Sequence, residues 1–460
     1  MRNIVFLFLA LIFSSFIFGC RKEDHISTDP AAKLIFSTDS VVFDTVFTSV
    51  GSITKRFKVM NNNNAAVNIS EINLAGGGSS PFSININGES ISNKNNLVVN
   101  AGDSINIFVK VSINPNSNQL PFIVQDSILF STNGNKQAVH FIAYGQNAVF
   151  VNGSLINSDV TWSSALPYVI TGALTVRNNT TLTINPGTKL YFHKDASLNV
   201  EGNLSAKGTA DKQIMFCSDR LESAYTDEPG QWKGIFLKPT ANATIAYAIV
   251  KNASVGITSD SLTKNAAPKL ILSNTVVKNM QVAGYIGNHS DLVAVNNLFY
   301  NCGNYLIYAA GGGNYNLKQN TFAGYNPNFP RKTAALTFSD YLSVKAYNRL
   351  NLNLTNNIIW GQLNNELDIQ KKTNAITQSS IWNNLIKNNA TAFANNDNLI
   401  NADPGFINWT LGNFELANNS PALKKGYNLG NDPYFADYLS HDLKNNPRNF
   451  PSSLGCFEKK

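Results

Sequence analysis

The sequence predicts an all-β chain in which a β-sandwich precedes a parallel β-helix of about nine or ten coils. Three observations carry this. Between Ile170 and Phe216, apolar residues come in alternating pairs: Leu174/Val176, Leu182/Ile184, Leu190/Phe192, Leu198/Val200 and Ile214/Phe216. Period-two alternation marks short strands with one buried face. Between Leu34 and Gln146, longer alternating segments are separated by Asn, Gly and Pro. Finally, only 14% of residues are charged, against a usual ~25%, and Asn, Ser, Thr and Gly fill the polar positions instead.

The pairs set the coil. They recur every eight residues or so, and three such steps return the chain to its start after ~24 residues, one strand spacing higher. Leu198 is then expected over Leu174 and Phe216 over Phe192, with small Ala206 and Gly208 in the intervening slot. Gly172, Gly187, Gly202, Gly208 and Pro186 fall between strands, where the chain must bend. The segment CSDRLESAYTDEPGQ breaks the alternation and predicts a loop; Trp232–Leu237 re-enters the coil. The repeat resumes as AYAIVKN, SNTVVKN, VNNLFYN, KQNTFAG, TNNIIWG and QSSIWNN. Aligning Asn274, Asn296, Asn320, Asn356 and Ser379 gives steps of 22, 24, 36 and 23, and the long step predicts an insertion between Gly324 and Leu350. Asn at a repeated bend tolerates left-handed φ, and its amide can bond the Asn one coil away.

Residues 170–400, and above all LTINPGTKLYFHKDASLNVEGNLSAKGT, resemble the right-handed parallel β-helix or pectin-lyase-like family. No six-residue repeat points to the left-handed type. Residues 148–169 are expected to link the domains and cap the first coil, with Trp162, Leu166 and Tyr168 as the cover. Residues 401–460, carrying NADPGFINWTLGNFELANNSPALKKG, are similar to the tail that closes many bacterial surface β-helices. That resemblance implies a second cap, with Phe406, Phe414, Leu416 and Leu423 over the last coil.

Upstream, residues 34–147 hold about seven strand-like segments, a count that suits a sandwich of immunoglobulin type. There is no Cys…Trp…Cys core. The motif DSILFSTNG…AVHFIAYG resembles the closing strands of immunoglobulin-like domains of the abnormal-spindle type, which serve as spacers or binding platforms.

The first 20 residues, MRNIVFLFLALIFSSFIFGC, join a basic start to an apolar run ending in a small residue before Cys20. This is an export signal rather than a spanning helix. It resembles a bacterial lipoprotein signal, with Ile17 where Leu is usual and Phe18 where Ala or Ser is commoner. The resemblance implies acylation of Cys20 and a partner in outer-membrane lipid, since each buried CH₂ contributes about 0.8 kcal/mol. An ordinary secretory signal with an incidental cysteine is the other reading. Arg21, Lys22, Glu23 and Asp24 then resemble the surface-export signal of Bacteroidetes lipoproteins, which implies an outward-facing protein; residues 21–33 read as a tether.

The formal net charge is +7, with the positive residues spread out rather than striped between aromatics. Nucleic-acid binding is therefore a poor fit, while weak attraction to acidic glycans remains open. Cys217, Cys302 and Cys456 have neither metal spacing nor a CxxC pair. No metal site and no cofactor are expected.

β-Helix lyases need a basic residue beside calcium-binding acids, and hydrolases need converging carboxylates. The solenoid acids Asp195, Asp211, Asp260, Asp291, Asp340 and Asp368 are scattered, at offsets that do not pair neighbouring coils. The candidate glycan-binding site is instead the loop after Phe216, with Asp219, Arg220, Glu222, Tyr225, Asp227 and Trp232. Carboxylates beside aromatics bind sugars by hydrogen bonding and stacking. The same residues also fit a solvated loop with Trp232 packed on the rod. A second surface comprises Tyr300, Tyr305, Tyr308, Tyr315 and Tyr325. The function expected is non-enzymatic binding of extended extracellular polysaccharide, or adhesion; the alternative is a polysaccharide lyase or glycoside hydrolase of the same fold.

Overall fold

The computed structural model describes residues 25–327, 330–343, 346–372 and 377–459; Cys20 and the signal segment lie outside them. The chain divides into two compact units, Met1–Gln146 and Asn147–Lys460.

The first unit is a two-sheet β-sandwich. One sheet runs Ile26–Ser27, Ala66–Leu74, Phe122–Thr132, Asn135–Gln146, Ser40–Phe47, with Asn93–Val99 also on Ala66–Leu74; the other runs Ile35–Phe36, Lys55–Met60, Ser104–Val111, Phe82–Ile86, Glu89–Ile91. Alternation places Phe57, Phe82, Phe130 and Phe141 in one core between them. The strand Ile26–Ser27 pairs with Ala66–Val67, so part of the expected tether belongs to the sandwich.

The second unit is a parallel β-helix with three faces. Its first coil is Val149–Asn152, Leu155–Ile156 and Val160–Trp162, which pair in parallel with Tyr168–Thr171, Ala173–Val176 and Thr181–Ile184. The segment expected to be linker and cap is thus a coil, with Trp162 turned inward and stacked on Tyr168 at 4.1 Å. With the face opened by Leu155–Ile156 as the first and that opened by Val160–Trp162 as the second, Val149–Asn152 opens the third, on which eleven strands stack among the described residues, ending at Leu399–Ile400.

The coil length is uneven, and this corrects the expected register. Leu198 does pair with Leu174, but Leu204 pairs with Leu182 and Phe216 with Leu190. Phe192 instead stacks on Trp232, at 4.1 Å. Bends absorb the difference, because each strand needs only its own inward residues aligned.

Later coils are joined at two-residue bends. Their first residues, Asn274, Asn296, Gln319, Asn356 and Asn383, all have φ between 47° and 59°. Their second residues form a buried ladder. The backbone N and Nδ2 of Asn297 both donate to Asn320 Oδ1, at 2.9 and 3.0 Å. Asn320 does the same to Asn357, Asn357 to Asn384, and Asn384 to Asn398. Asn320 therefore belongs to the inward series, and Ser379 lies mid-strand, paired with Leu352. The expected insertion after Gly324 also contains a coil strand, Leu336–Ser339; beyond it comes the hairpin Tyr341–Ser343 with Ala346–Tyr347.

The C-terminal segment is not an end cap. Phe414, Leu416, Ala422, Leu443 and Leu454 pack on Leu298, Ala323, Ile358, Trp360 and Leu385, the outer side of the third face. Farther along, Leu429 and Leu439 cover Val293 and Val295. The segment also accepts hydrogen bonds from the bends: Asn274 Nδ2 to Asp442 O, Asn296 Nδ2 to His441 O and Asn356 Nδ2 to Tyr427 O, at 2.7 to 3.0 Å. The last coil is closed by the turn before Leu399, where Phe393 packs on the core.

Candidate functional site

The strand Ile214–Ser218 ends where the chain leaves the coil, and the loop up to Gln231 is tied to neighbouring coils, with Gly230 N and Gln231 N donating to Ala253 O and Asn252 O. Asp219 Oδ2 meets His193 Nδ1 at 2.6 Å. Arg220 Nε donates to Glu222 at 3.1 Å, and its guanidinium lies 3.7 Å from the Tyr225 ring centroid. Asp227 accepts from Asn279 Nδ2 at 2.7 Å and faces Lys278. Gln231 ties the loop from within, donating to the carbonyls of Tyr225 and Glu228. Within the loop Arg220 and Glu222 satisfy each other, Asp219 and Asp227 bond residues of other turns of the solenoid, and Asp219 Oδ1 is buried with no partner among the described residues.

Trp232 is packed on the rod, the second of its two sequence readings, and is not a glycan-facing ring. Its ring is 1% exposed, and its Nε1 donates to Lys251 O at 2.8 Å. It belongs to the core, where a large apolar ring gains most, and offers no face to a sugar. Of the two aromatics in the loop, Tyr225 alone reaches solvent.

The five tyrosines also separate. Tyr315 is buried inside the coil, Tyr300 lies against Phe414, and Tyr325 stacks on Trp409. Tyr305 and Tyr308 remain together on the outer side of the first face, their rings 4.8 Å apart. They sit beside a groove of about 1070 Å³ whose lining includes Tyr305, Lys332, Thr337, Asp368, Gln370 and Lys371. Tyr308, Thr337 and Asp368 occupy one register position on three successive coils. Gln370 Nε2 donates to Asp368 Oδ2, and Tyr341 Oη approaches Gln370 Oε1 at 3.2 Å.

One buried ion pair ties the groove's loop wall together. Arg331 Nη2 donates to both carboxylate oxygens of Glu366, at 2.7 and 2.6 Å, and neither side chain is exposed. Glu366 also accepts from the backbone N of Leu363 and Ala335. A Cβ on Gly324 would lie 2.4 Å from the guanidinium, so the bare backbone makes room for it. Lys332–Ala334 and Leu363–Asn365 are held beside the groove in consequence.

Sequence reasoning missed Lys332, Thr337, Asp368, Gln370 and Lys371 as a group. Their strands, LTFS and LDIQ, are short and separated by insertions, so no spacing announces the alignment. Asp368 is the single acid among the described residues lining the groove, whereas hydrolysis of a glycoside uses two. Among the described residues, no three His, Cys, Asp or Glu side chains converge to hold a metal ion.

No curated protein matches the chain. Among solved structures, a family 123 glycoside hydrolase from Clostridium perfringens, described for glycolipid glycan hydrolysis, is similar at 11% identity over 25% of this chain and 26% of its own, with a TM-score of 0.18. This chain thus spans about a quarter of that enzyme's length. The ASH/PapD-like domain 7 of human CEP192 is similar at 11% identity over 26% of this chain and 89% of that domain, also with a TM-score of 0.18. Residues 153–261, the early coils of the solenoid, match the family model for a pectate-lyase-like beta helix domain.

Proposed function

We propose that this protein is a lipid-anchored, outward-facing β-helix protein that binds an extended saccharide in the first-face groove, without turning it over. The observation that carries this reading is the groove itself. Its lining offers Tyr305, with Tyr308 beside it, for stacking and, on the next coils, Thr337, Asp368 and Gln370 for hydroxyl groups. The family match over residues 153–261 supports a carbohydrate ligand. The sandwich then acts as a spacer of immunoglobulin-like type, and acylated Cys20 is the anchor.

The test is a glycan array with the full chain and a Tyr305→Ala/Tyr308→Ala variant. Loss of a face-stacked ring costs about 1 kcal/mol or more, so the variant should bind at least tenfold more weakly. Unchanged binding would remove the groove from the account. For the anchor, fatty-acid labelling should disappear in Cys20→Ala; persistent labelling overturns it. The alternative, a polysaccharide lyase or glycoside hydrolase, draws on the same family match and on Asp368 sharing the groove with Lys332 and Lys371. Turnover of a uronate polymer, lost in Asp368→Asn, would favour it.

A further inference from the structure

A second groove, about 760 Å³, lies over the second face of the solenoid. Asp291, Asn314, Asn351 and Gln378 occupy one register position on four successive coils. Their side chains form a continuous row. Asn314 Nδ2 donates to Asp291 Oδ1 at 2.5 Å, and Asn351 Nδ2 donates to Asn314 Oδ1 at 2.6 Å. Arg349 completes it, with Nε to Asn351 Oδ1 at 3.1 Å and Nη2 to Gln378 Oε1 at 2.5 Å. The buried Asp291 carboxylate is already engaged on both oxygens, the other accepting from Thr263 N at 2.6 Å.

Within the second unit, Arg349 differs from the arginines at 177, 220, 331 and 448, each of which pairs with a glutamate. It is exposed, and among the described residues it bonds only the two neutral amides, leaving three N–H donors without a protein acceptor. Its position is built in. Gly313 N donates to Arg349 O at 2.8 Å, and a Cβ at Gly312 would lie 2.5 Å from that oxygen. Asn348, the residue before it, bonds Gly311 O through its side chain. In the same groove Asn316 Oδ1 is buried, with no partner among the described residues.

We infer that this groove is a second saccharide site, specific for a sugar carrying an anionic group, with Arg349 receiving the anion and the amide row the hydroxyls. A guanidinium held in place by two amides presents its remaining donors in a fixed fork, the geometry that suits a carboxylate or sulfate. The site is separate from the first-face tyrosines, so either can fail alone.

The experiment is calorimetric titration of the full chain with three hexasaccharides: sulfated, uronate and neutral. At least one anionic ligand should bind more tightly than the neutral one. Arg349→Ala should weaken that ligand at least tenfold, and Arg349→Lys should recover only part of it, because an ammonium cannot bond both amides and keep a fork. Asn351→Ala, which leaves the charge in place, should also weaken it. The sulfated and uronate arms identify which anion is recognised. Equal binding of neutral and anionic ligands, no binding of either anionic ligand, or affinity untouched by Arg349→Ala overturns the inference. Binding lost in Tyr305→Ala/Tyr308→Ala but unchanged in Arg349→Ala overturns it too, while leaving the first-face reading intact.

Discussion

Arg331 and Glu366 show how much a single pair can decide. Both are fully buried, so each charge depends on the other and on the backbone groups around them. Removing one partner strands the other, which costs about 3–5 kcal/mol. Glu366→Ala should therefore lower the urea midpoint sharply and release Lys332–Ala334, whereas Lys332→Ala, an exposed change, should leave stability within about 0.5 kcal/mol. Burial also pushes the thiols of Cys217, Cys302 and Cys456 up to about 12. They are free and inaccessible, so an alkylating reagent at pH 8 should label none of the three until denaturant is added. The unfolded chain ionises these thiols from about pH 9, while the folded chain holds the protons. Stability from this source is complete below pH 9 and declines as pH rises towards 12, which a melting series across that range would show. The sequence shows neither metal spacing nor a CxxC pair for these three cysteines. It was silent on Arg331 and Glu366, which lie 35 residues apart and meet because two insertions leave the coil at the same corner.

Among the strands and bends, the two-residue Asn turn is the repeating device. The first residue accepts the left-handed conformation that lets the chain turn sharply. The second points inward and bonds both the next Asn and a carbonyl of the preceding coil, as Asn357 does to Asn384 and Leu317. Asn357→Ala leaves the two donors of Asn320 unpaired in the interior, at about 1–3 kcal/mol each. Its thermal midpoint should fall well below that of Asn389→Ala at an exposed site. Trp232→Ala should cost about 3–5 kcal/mol through the cavity left beside Phe192. Sequence alignment found the bends rather than the ladder: of Asn274, Asn296, Asn320, Asn356 and Ser379, Asn320 alone lies in the buried series, and Ser379 falls within a strand. With two polar residues at each bend, spacing alone does not say which faces in.

For the second unit as a body, the C-terminal segment matters most. It covers apolar side chains along the third face and satisfies the outward amides of several bends. A chain ending after Ile400 would expose that face and those carbonyl-seeking amides together. It should melt at lower temperature than the full chain and bind a hydrophobic dye; an unchanged midpoint would mean the segment is a passenger. The resemblance of this tail to known closing segments was readable, but its place was not. The same aromatic residues could cover an open end or a flank, and nothing local distinguishes them.

Alternating apolar pairs and the bend residues between them were enough to specify stacked parallel strands, because each coil repeats the same local requirement of one face buried and one bend made. Which residues meet across coils was settled by folding. Uneven coil lengths and insertions set the register of Phe216, bury Trp232 and align Asp291, Asn314, Asn351 and Gln378 in one row. Those placements depend on contacts between residues far apart in the chain, and local pattern carries no record of them.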